Sequence, residues 1–289
     1  MHVLVVGASG FVGRALTQAL LAAGYSVDGW DRLPGQDQPG LVNHSVDLLG
    51  QAPLPDPLGQ PWDAAFHLAA YSVPGMAWTE EQIMANLRMT ARVYDQLART
   101  SPGCRAVLAS SAFVYASASH ALVESDPLGS THPYALSKHL GEVWALSHVD
   151  SLEVFIVRPF NLVGPAMAKG LLIPDLLERI RSGESPIRMR GRDDVRDFLD
   201  WRDAVEGYLR LLTVTAASGS IWNLCSGRPT RVSELVHELM KAHGHDREVL
   251  FDSPGSQTMI GDPSKFMAAT GWAPLRSLPD TAEAIAASR

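Results

Sequence analysis

Residues 2–24 read HVLVVGASGFVGRALTQALLAAG. The first five, largely β-branched, stop at Gly7, the pattern of a short buried strand. Leu16, Leu20 and Leu21 then recur at helical spacing until Gly24 stops the helix. Between strand and helix, Gly7, Gly10 and Gly13 form G-x-x-G-x-x-G. Glycines placed there permit a tight turn and let a pyrophosphate approach backbone N–H groups, while the helix start adds positive potential. The spacing is not the commoner G-x-G-x-x-G, and turn glycines also occur in α/β proteins that bind no nucleotide. The next strand, YSVDGW, ends at Asp31. A carboxylate there can accept hydrogen bonds from adenosine ribose hydroxyls and would repel a 2′-phosphate, which favours NAD. The adjacent Arg32 could bind that phosphate and keeps NADP open.

Outward from this unit the alternation continues. LVNHSVD, AAFHLAA (64–70), CRAVLASS (104–111) and LEVFIVRP (152–159) read as strands, and helices are predicted near 79–99 and 134–148. Strands alternating with helices predict a doubly wound, mainly parallel α/β sheet. The second half has shorter elements between loop signals: WRDAVEGYLRLL and VSELVHELMKAHG are helical, IWNLC a strand. The division expected is a dinucleotide-binding domain over 1–160 and a smaller α/β substrate-binding region over 161–289, partly interleaved with it.

The 289 residues are 46% hydrophobic and carry a formal charge of −7. This supports a large core and argues against an extended nucleic-acid surface. Cys104 and Cys225 lie in apolar, strand-like contexts and read as buried thiols of an intracellular protein. The chain opens on an apolar strand, without a leader pattern or a membrane-length apolar run, so a cytoplasmic protein is expected.

Residues 132–138, HPYALSK, place Tyr134 four positions before Lys138, on one face of a helix. An ammonium near a phenol favours the phenolate, and such a tyrosine can shuttle protons. An exposed Tyr-Lys pair on a surface helix would look the same.

The glycine loop, HLAA (67–70), SSAFVYA (110–116), YALSK (134–138) and RPFNLVGP (158–165) stand in one order along one chain. Together they resemble the extended short-chain dehydrogenase/reductases, the NAD-dependent epimerase/dehydratase family acting on nucleotide sugars. The C-terminal run from VRDFLDW to GDPSKFMAATGW is most similar to the GDP-4-keto-6-deoxymannose reductase subgroup. The resemblance implies a Rossmann domain and a catalytic set of Ser111, Tyr134 and Lys138. Tyr134 would be the acid/base. Lys138 would lower its pKa and hold the nicotinamide ribose, and Ser111 would hydrogen-bond the reacting oxygen. It further implies that Gly7, Gly10, Phe11, Val12, Gly13, Asp31, Arg32, Asp47, Leu48, Leu68, Ala69 and Ala70 border the cofactor with Tyr134 and Lys138. Asp47 would hold the adenine amino group; Asn161 and Arg196 would contact the substrate diphosphate. His67 has no chemical role in this reading, and Asn86 is a candidate polar contact near the nicotinamide.

Two departures discriminate among reactions. Sugar 4,6-dehydratases of the family carry acids after the catalytic Ser/Thr; here Ala112 and Phe113 follow Ser111, so dehydration is not expected. The arginine that relatives place shortly before the GDPSK-like segment is absent between Asp252 and Lys265. Arg188, Arg190, Arg192 or Lys169 would have to replace it, and the basic run there could equally be a solvated loop. The leading expectation is reduction of a nucleotide-linked 4-keto-6-deoxyhexose. A 4-epimerase with tightly bound NAD and a non-catalytic, cofactor-sensing binding protein are the alternatives. A homodimer is expected through the helices near 79–99 and 134–148, using Ile83, Leu87, Tyr94, Leu140 and Trp144. These residues would otherwise complete the core.

Overall fold

The computed structural model of the chain describes residues 1–57, 59–72, 75–129, 131–255 and 257–288. β1 (His2–Val6), α1 (Phe11–Ala22), β2 (Ser26–Asp31), β3 (Leu41–Ser45), β4 (Ala64–His67), α2 (Glu80–Thr100), β5 (Arg105–Ala109), α3 (Pro133–Leu146) and β6 (Glu153–Pro159) form the alternating first half. The second half holds β7 (Asn161–Val163), α4 (Leu172–Arg181), β8 (Ile187–Met189), β9 (Val195–Asp200), α5 (Trp201–Arg210), β10 (Ser220–Leu224) and β11 (Pro229–Arg231). It closes with α6 (Val232–Ala242), β12 (Val249–Phe251), β13 (Thr258–Met259), α7 (Ser264–Thr270) and α8 (Leu278–Ala287).

The main sheet has seven parallel strands in the order β10-β6-β5-β4-β1-β2-β3. This is the doubly wound Rossmann arrangement, and the strand order reverses between β1 and β4. A parallel sheet must be covered on both faces, and alternate side chains of each strand serve the two covers. Val3 and Val5 join Phe66, Val107, Phe155 and Tyr208 on the α1/α5 side. Leu4 and Val6 join Ala65, Leu108, Ile156, Val93 and Tyr94 on the α2/α3 side. β10 extends the main sheet beside β6, so the chain leaves for the second region after β6 and returns at residues 201–224.

The second region is assembled from short pieces. β9 pairs with β7, β11 and β13, and β8 pairs with β12. α4, α6 and α8 enclose its own apolar cluster, centred on Leu176, Leu235, Leu239 and Ile285. Strands of two or three residues cannot hold a position by ladder bonds alone, and a buried carboxylate does that work. Asp197 of β9, with no exposed surface, accepts from Ser226 N and Ser226 Oγ at 2.7 Å, Gly227 N at 2.8 Å and Gly261 N at 3.3 Å.

One expectation fails on burial. Tyr94, expected with Ile83, Leu87, Leu140 and Trp144 on an outward dimer face, is fully buried, and its hydroxyl donates to Ala106 O at 3.4 Å. α2 is 21 residues long and must face both the sheet and α3, so its apolar stripe is wide. On α3 Trp144 is exposed as expected, and the exposed apolar surface also includes Leu136 and Val143.

Candidate active site

A cavity of about 640 Å³ opens along the C-terminal ends of β1, β2, β4, β5 and β6 and runs to β8 and β9. Ligands of open α/β sheets bind in such a crevice, where the strand order reverses. Ser111, Tyr134, Lys138, the proposed cofactor-binding residues, Asn161 and Arg196 all line this one cavity.

The glycine loop forms one end. Gly7 has φ +89° and its N–H donates to Trp30 O at 2.7 Å, tying the loop to β2. Gly13 packs against that turn: a Cβ there would lie 1.9 Å from Gly7 O. No side chain caps α1, and Phe11, Val12 and Gly13, whose amides are unpaired donors of its first turn, line the cavity. Asp31 Oδ2 accepts from Ser9 N at 3.1 Å and its Oδ1 from Leu33 N at 3.3 Å, so this carboxylate braces two loops at once. Arg32 is exposed at the same wall. Asp47 Oδ1 accepts from Leu49 N at 2.9 Å. The strand read across 64–70 ends at His67, and Leu68, Ala69 and Ala70 turn off it to form the cavity wall. The sequence reading missed Arg92, which braces the 47–52 loop from α2 by donating to Leu48 O at 3.0 Å and Ala52 O at 2.6 Å.

The middle of the cavity holds the Ser-Tyr-Lys set. His132 Nδ1 accepts from Tyr134 N at 3.1 Å as the cap of α3, and Pro133 fills the first helical position. Tyr134 and Lys138 therefore leave the same face of α3 toward the end of β5. Ser111 lies beside Tyr134 in the cavity, and its Oγ accepts from Phe113 N at 3.2 Å. Tyr134 sits between the rings of Trp78 (centroids 5.5 Å apart) and Phe113 (5.8 Å). The expected depression of its pKa is not found. Burial pushes the phenol up, and the neighbouring Ser111 hydroxyl only partly opposes this. Lys138 Nζ instead donates to Ala109 O at 2.9 Å. Burial brings the lysine down to about 8, and the Glu142 carboxylate pulls the other way.

Asn86 is a brace, not a cavity contact. Its Oδ1 accepts from Tyr71 N at 2.8 Å, and its Nδ2 donates to Tyr71 O at 3.1 Å and Ser137 Oγ at 2.9 Å, fastening the wall residue Tyr71 to α3. His67 is buried, with Nε2 3.3 Å from Thr90 Oγ1. Burial first, then the Lys138 charge, holds it down at about 3, so it is neutral.

At the far end Arg196 donates to Asp194 Oδ2 at 3.1 Å and Gln257 Oε1 at 2.6 Å, while Asn161 Nδ2 donates to Asp197 O at 2.9 Å. Of the four candidates for the missing arginine, Arg190 alone lines the cavity. Arg188 pairs with Asp252 at 2.7 Å. Phe198, Val232 and Met259 complete an apolar wall that short loop-bound segments concealed in the sequence.

A glycine cradle that a Cβ would obstruct, an uncapped helix start and a carboxylate ending β2 fit a dinucleotide's pyrophosphate and ribose. With Ser111, Tyr134 and Lys138 beside them, they define a Rossmann enzyme of the short-chain dehydrogenase/reductase class. The sequence profile of the NAD dependent epimerase/dehydratase family matches residues 3–225, and the chain belongs to that family. It is 30% identical to the GDP-6-deoxy-D-mannose reductase of Pseudomonas aeruginosa, over 98% of this chain and 95% of that one. The structure of RMD from Pseudomonas aeruginosa complexed with NADPH superposes with TM-score 0.83 at 26% identity, covering 99% of this chain and 97% of that one. The UDP-glucuronic acid 4-epimerase of Bacillus cereus, solved with UDP-glucuronic acid and NAD, shares the fold at TM-score 0.85 and 22% identity, over 98% and 97%.

Proposed function

We propose that this protein reduces the ketone of a nucleotide-linked 4-keto-6-deoxyhexose. The observation that carries the reading is the setting of Tyr134, which shares one face of α3 with Lys138 and lines the cavity with Ser111. Burial favours its protonated form, Ser111 stands beside it, and Ala112 and Phe113 stand where a dehydratase would need acids. A protonated phenol is an acid, which is what reduction requires: hydride adds to the carbonyl carbon and the carbonyl oxygen takes a proton. The reduced nicotinamide cofactor supplies the hydride. Ser111 polarises the carbonyl by donating to its oxygen, and Tyr134 gives its proton to the oxygen as negative charge develops. Lys138 carries the positive charge that favours loss of that proton and holds the nicotinamide ribose. Gly7, Gly10 and the first turn of α1 receive the pyrophosphate, and Leu68, Ala69 and Ala70 flank the cofactor beside Asp47 and Leu48. Asp31 reads the adenosine ribose, while Arg32 attracts a 2′-phosphate. Asn161, Arg196 and Arg190 hold the substrate diphosphate. The RMD complex with NADPH and the full-length similarity to a GDP-6-deoxy-D-mannose reductase support this reading.

The test mixes purified protein with a 4-keto-6-deoxy nucleotide sugar and NADH or NADPH and follows loss of reduced-cofactor absorbance. Stoichiometric loss is expected, and the faster cofactor shows whether Asp31 or Arg32 dominates. Intact cofactor binding without loss of absorbance, together with isomerisation of a nucleotide sugar, would make the protein an epimerase. The same reading includes a homodimer through α2 and α3, with Leu136, Val143 and Trp144 covered; light scattering showing only monomer at micromolar concentration removes that part.

A further inference from the structure

Glu142 and Arg158 form an ion pair sealed beneath the candidate site. Their side chains are 2% and 3% exposed, and the guanidinium grips the carboxylate twice, Nε to Oε1 at 2.9 Å and Nη2 to Oε2 at 2.7 Å. Desolvating two charges costs several kcal/mol per ion before their attraction is counted, so a buried pair is weak evidence for stability. Its location gives it another task. Tyr134, Lys138 and Glu142 follow one another at four-residue steps along one face of α3. The Ser110 hydroxyl, next to Ser111, donates to Glu142 Oε1, and Ser110 N donates to Val157 O at 2.7 Å. Arg158 is itself held from behind: its guanidinium carbon lies 4.8 Å over the Tyr115 ring, and it donates to Glu124 O at 3.3 Å.

We propose that Glu142 is a positioning residue: its carboxylate stands one helical turn from the Lys138 ammonium and, through Ser110, anchors the end of β5 that presents Ser111. This rests on the roles given above to Ser111, Tyr134 and Lys138. The electrostatic part follows from what surrounds the lysine. β4 presents His67, which is neutral, and α2 presents Asn86 and Thr90, which carry no charge. β5 presents the Ala109 carbonyl, and β6 presents Arg158, already committed to Glu142. His139, on the same helix, lies 3.9 Å from Glu142, and Tyr115 and Glu124 face the pair from the loops beyond β5. The carboxylate that opposes the neutralising effect of burial on Lys138 is that of Glu142. The mechanical part follows from the chain of bonds Arg158–Glu142–Ser110, which ends one residue from Ser111.

The experiment labels lysine with ¹³C at the ε carbon and titrates the protein by NMR. The chain has four lysines, Lys138, Lys169, Lys241 and Lys265, and Lys138→Arg assigns the resonance of interest. In Glu142→Gln, which keeps the shape and removes the charge, the Lys138 resonance is expected to titrate at lower pH than in the parent. The alkaline limb of the kcat profile moves with it, and kcat falls more than KM rises. If Glu142→Gln does not fold, Arg158→Lys takes its place; weaker pairing leaves more of the Glu142 charge to act on Lys138, and the resonance moves to higher pH. A folded variant with an unmoved Lys138 titration, or a moved titration with an unmoved alkaline limb, overturns the proposal. If the parent itself reduces no keto sugar, the assigned reaction fails, while the NMR titration still decides whether Glu142 acts on Lys138.

Discussion

Beneath β1 and β2 the cavity wall is backbone: Gly7 in a left-handed turn, Gly13 pressed on its carbonyl, first-turn amides of α1. Beside β8 and β9 the wall is side chains held by other side chains: Arg196 on Asp194 and Gln257, strand β9 pinned by Asp197. A backbone wall recognises what dinucleotides share and tolerates almost no change. A side-chain wall can be rewritten residue by residue, which suits the end proposed above to receive the sugar nucleotide. Between them stands α3, whose Tyr134 and Lys138 must serve both.

The largest effect is expected at that junction. Tyr134→Phe removes the proton and keeps the ring, so kcat should fall by about 10²–10⁴ with cofactor affinity little changed, as stopped-flow turnover and fluorescence titration would show. The backbone wall is broken next. Gly13→Ala sets a methyl against Gly7 O; overpacking of about 3 kcal/mol corresponds to a cofactor Kd roughly 100-fold weaker. A Kd unchanged in that variant would mean that the loop is no rigid cradle. The side-chain wall gives way more gently. Arg190→Ala should raise the KM for the sugar nucleotide about tenfold, the scale of one lost charge-assisted bond, and leave cofactor Kd alone. The smallest effect concerns stability. Lys138 titrates at about 8 in the fold, below the roughly 10.4 of a free lysine. The folded state therefore binds fewer protons between these values, and the cost of burying the ammonium is fully present below pH 8 and fades toward pH 10.4. Lys138→Met should be inactive yet more stable at pH 7 by on the order of 1 kcal/mol, the gain partly offset by the lost bond to Ala109 O. Thermal melts at pH 7 and pH 10 check this, and the advantage should shrink at the higher pH.

The contrast between the walls also accounts for what could be read in advance. Gly7, Gly10, Gly13 and Asp31 were legible because backbone turns demand glycine at set positions and the end of β2 is marked by the end of an apolar run. Tyr134 and Lys138 were legible because helical spacing converts directly into a shared face. Arg190 could not be separated from Arg188 and Arg192, since β8 ends at Met189 and only the loop beyond it, not a strand period, decides which arginine turns into the cavity. Tyr94 was misplaced because a long helix with two packed sides carries an apolar stripe no narrower than a surface helix with one packed side and an interface. The raised phenol of Tyr134 was hidden as well: spacing shows which groups are near one another, whereas desolvation depends on everything else that closes around them.

The return of the chain at α5 and β10 has a consequence for engineering. Cutting after residue 160 would strip the β10 edge strand from the sheet and α5 from its cover. The region proposed to face the sugar is thus spliced into its carrier at more than one seam: residues 201–224 return to the carrier after β9, and Phe266 and Trp272 return to it again, packing in the core of the main sheet. A chimera that exchanges substrate preference must honour every seam; one joined at a single crossover would inherit half a socket and a frayed sheet.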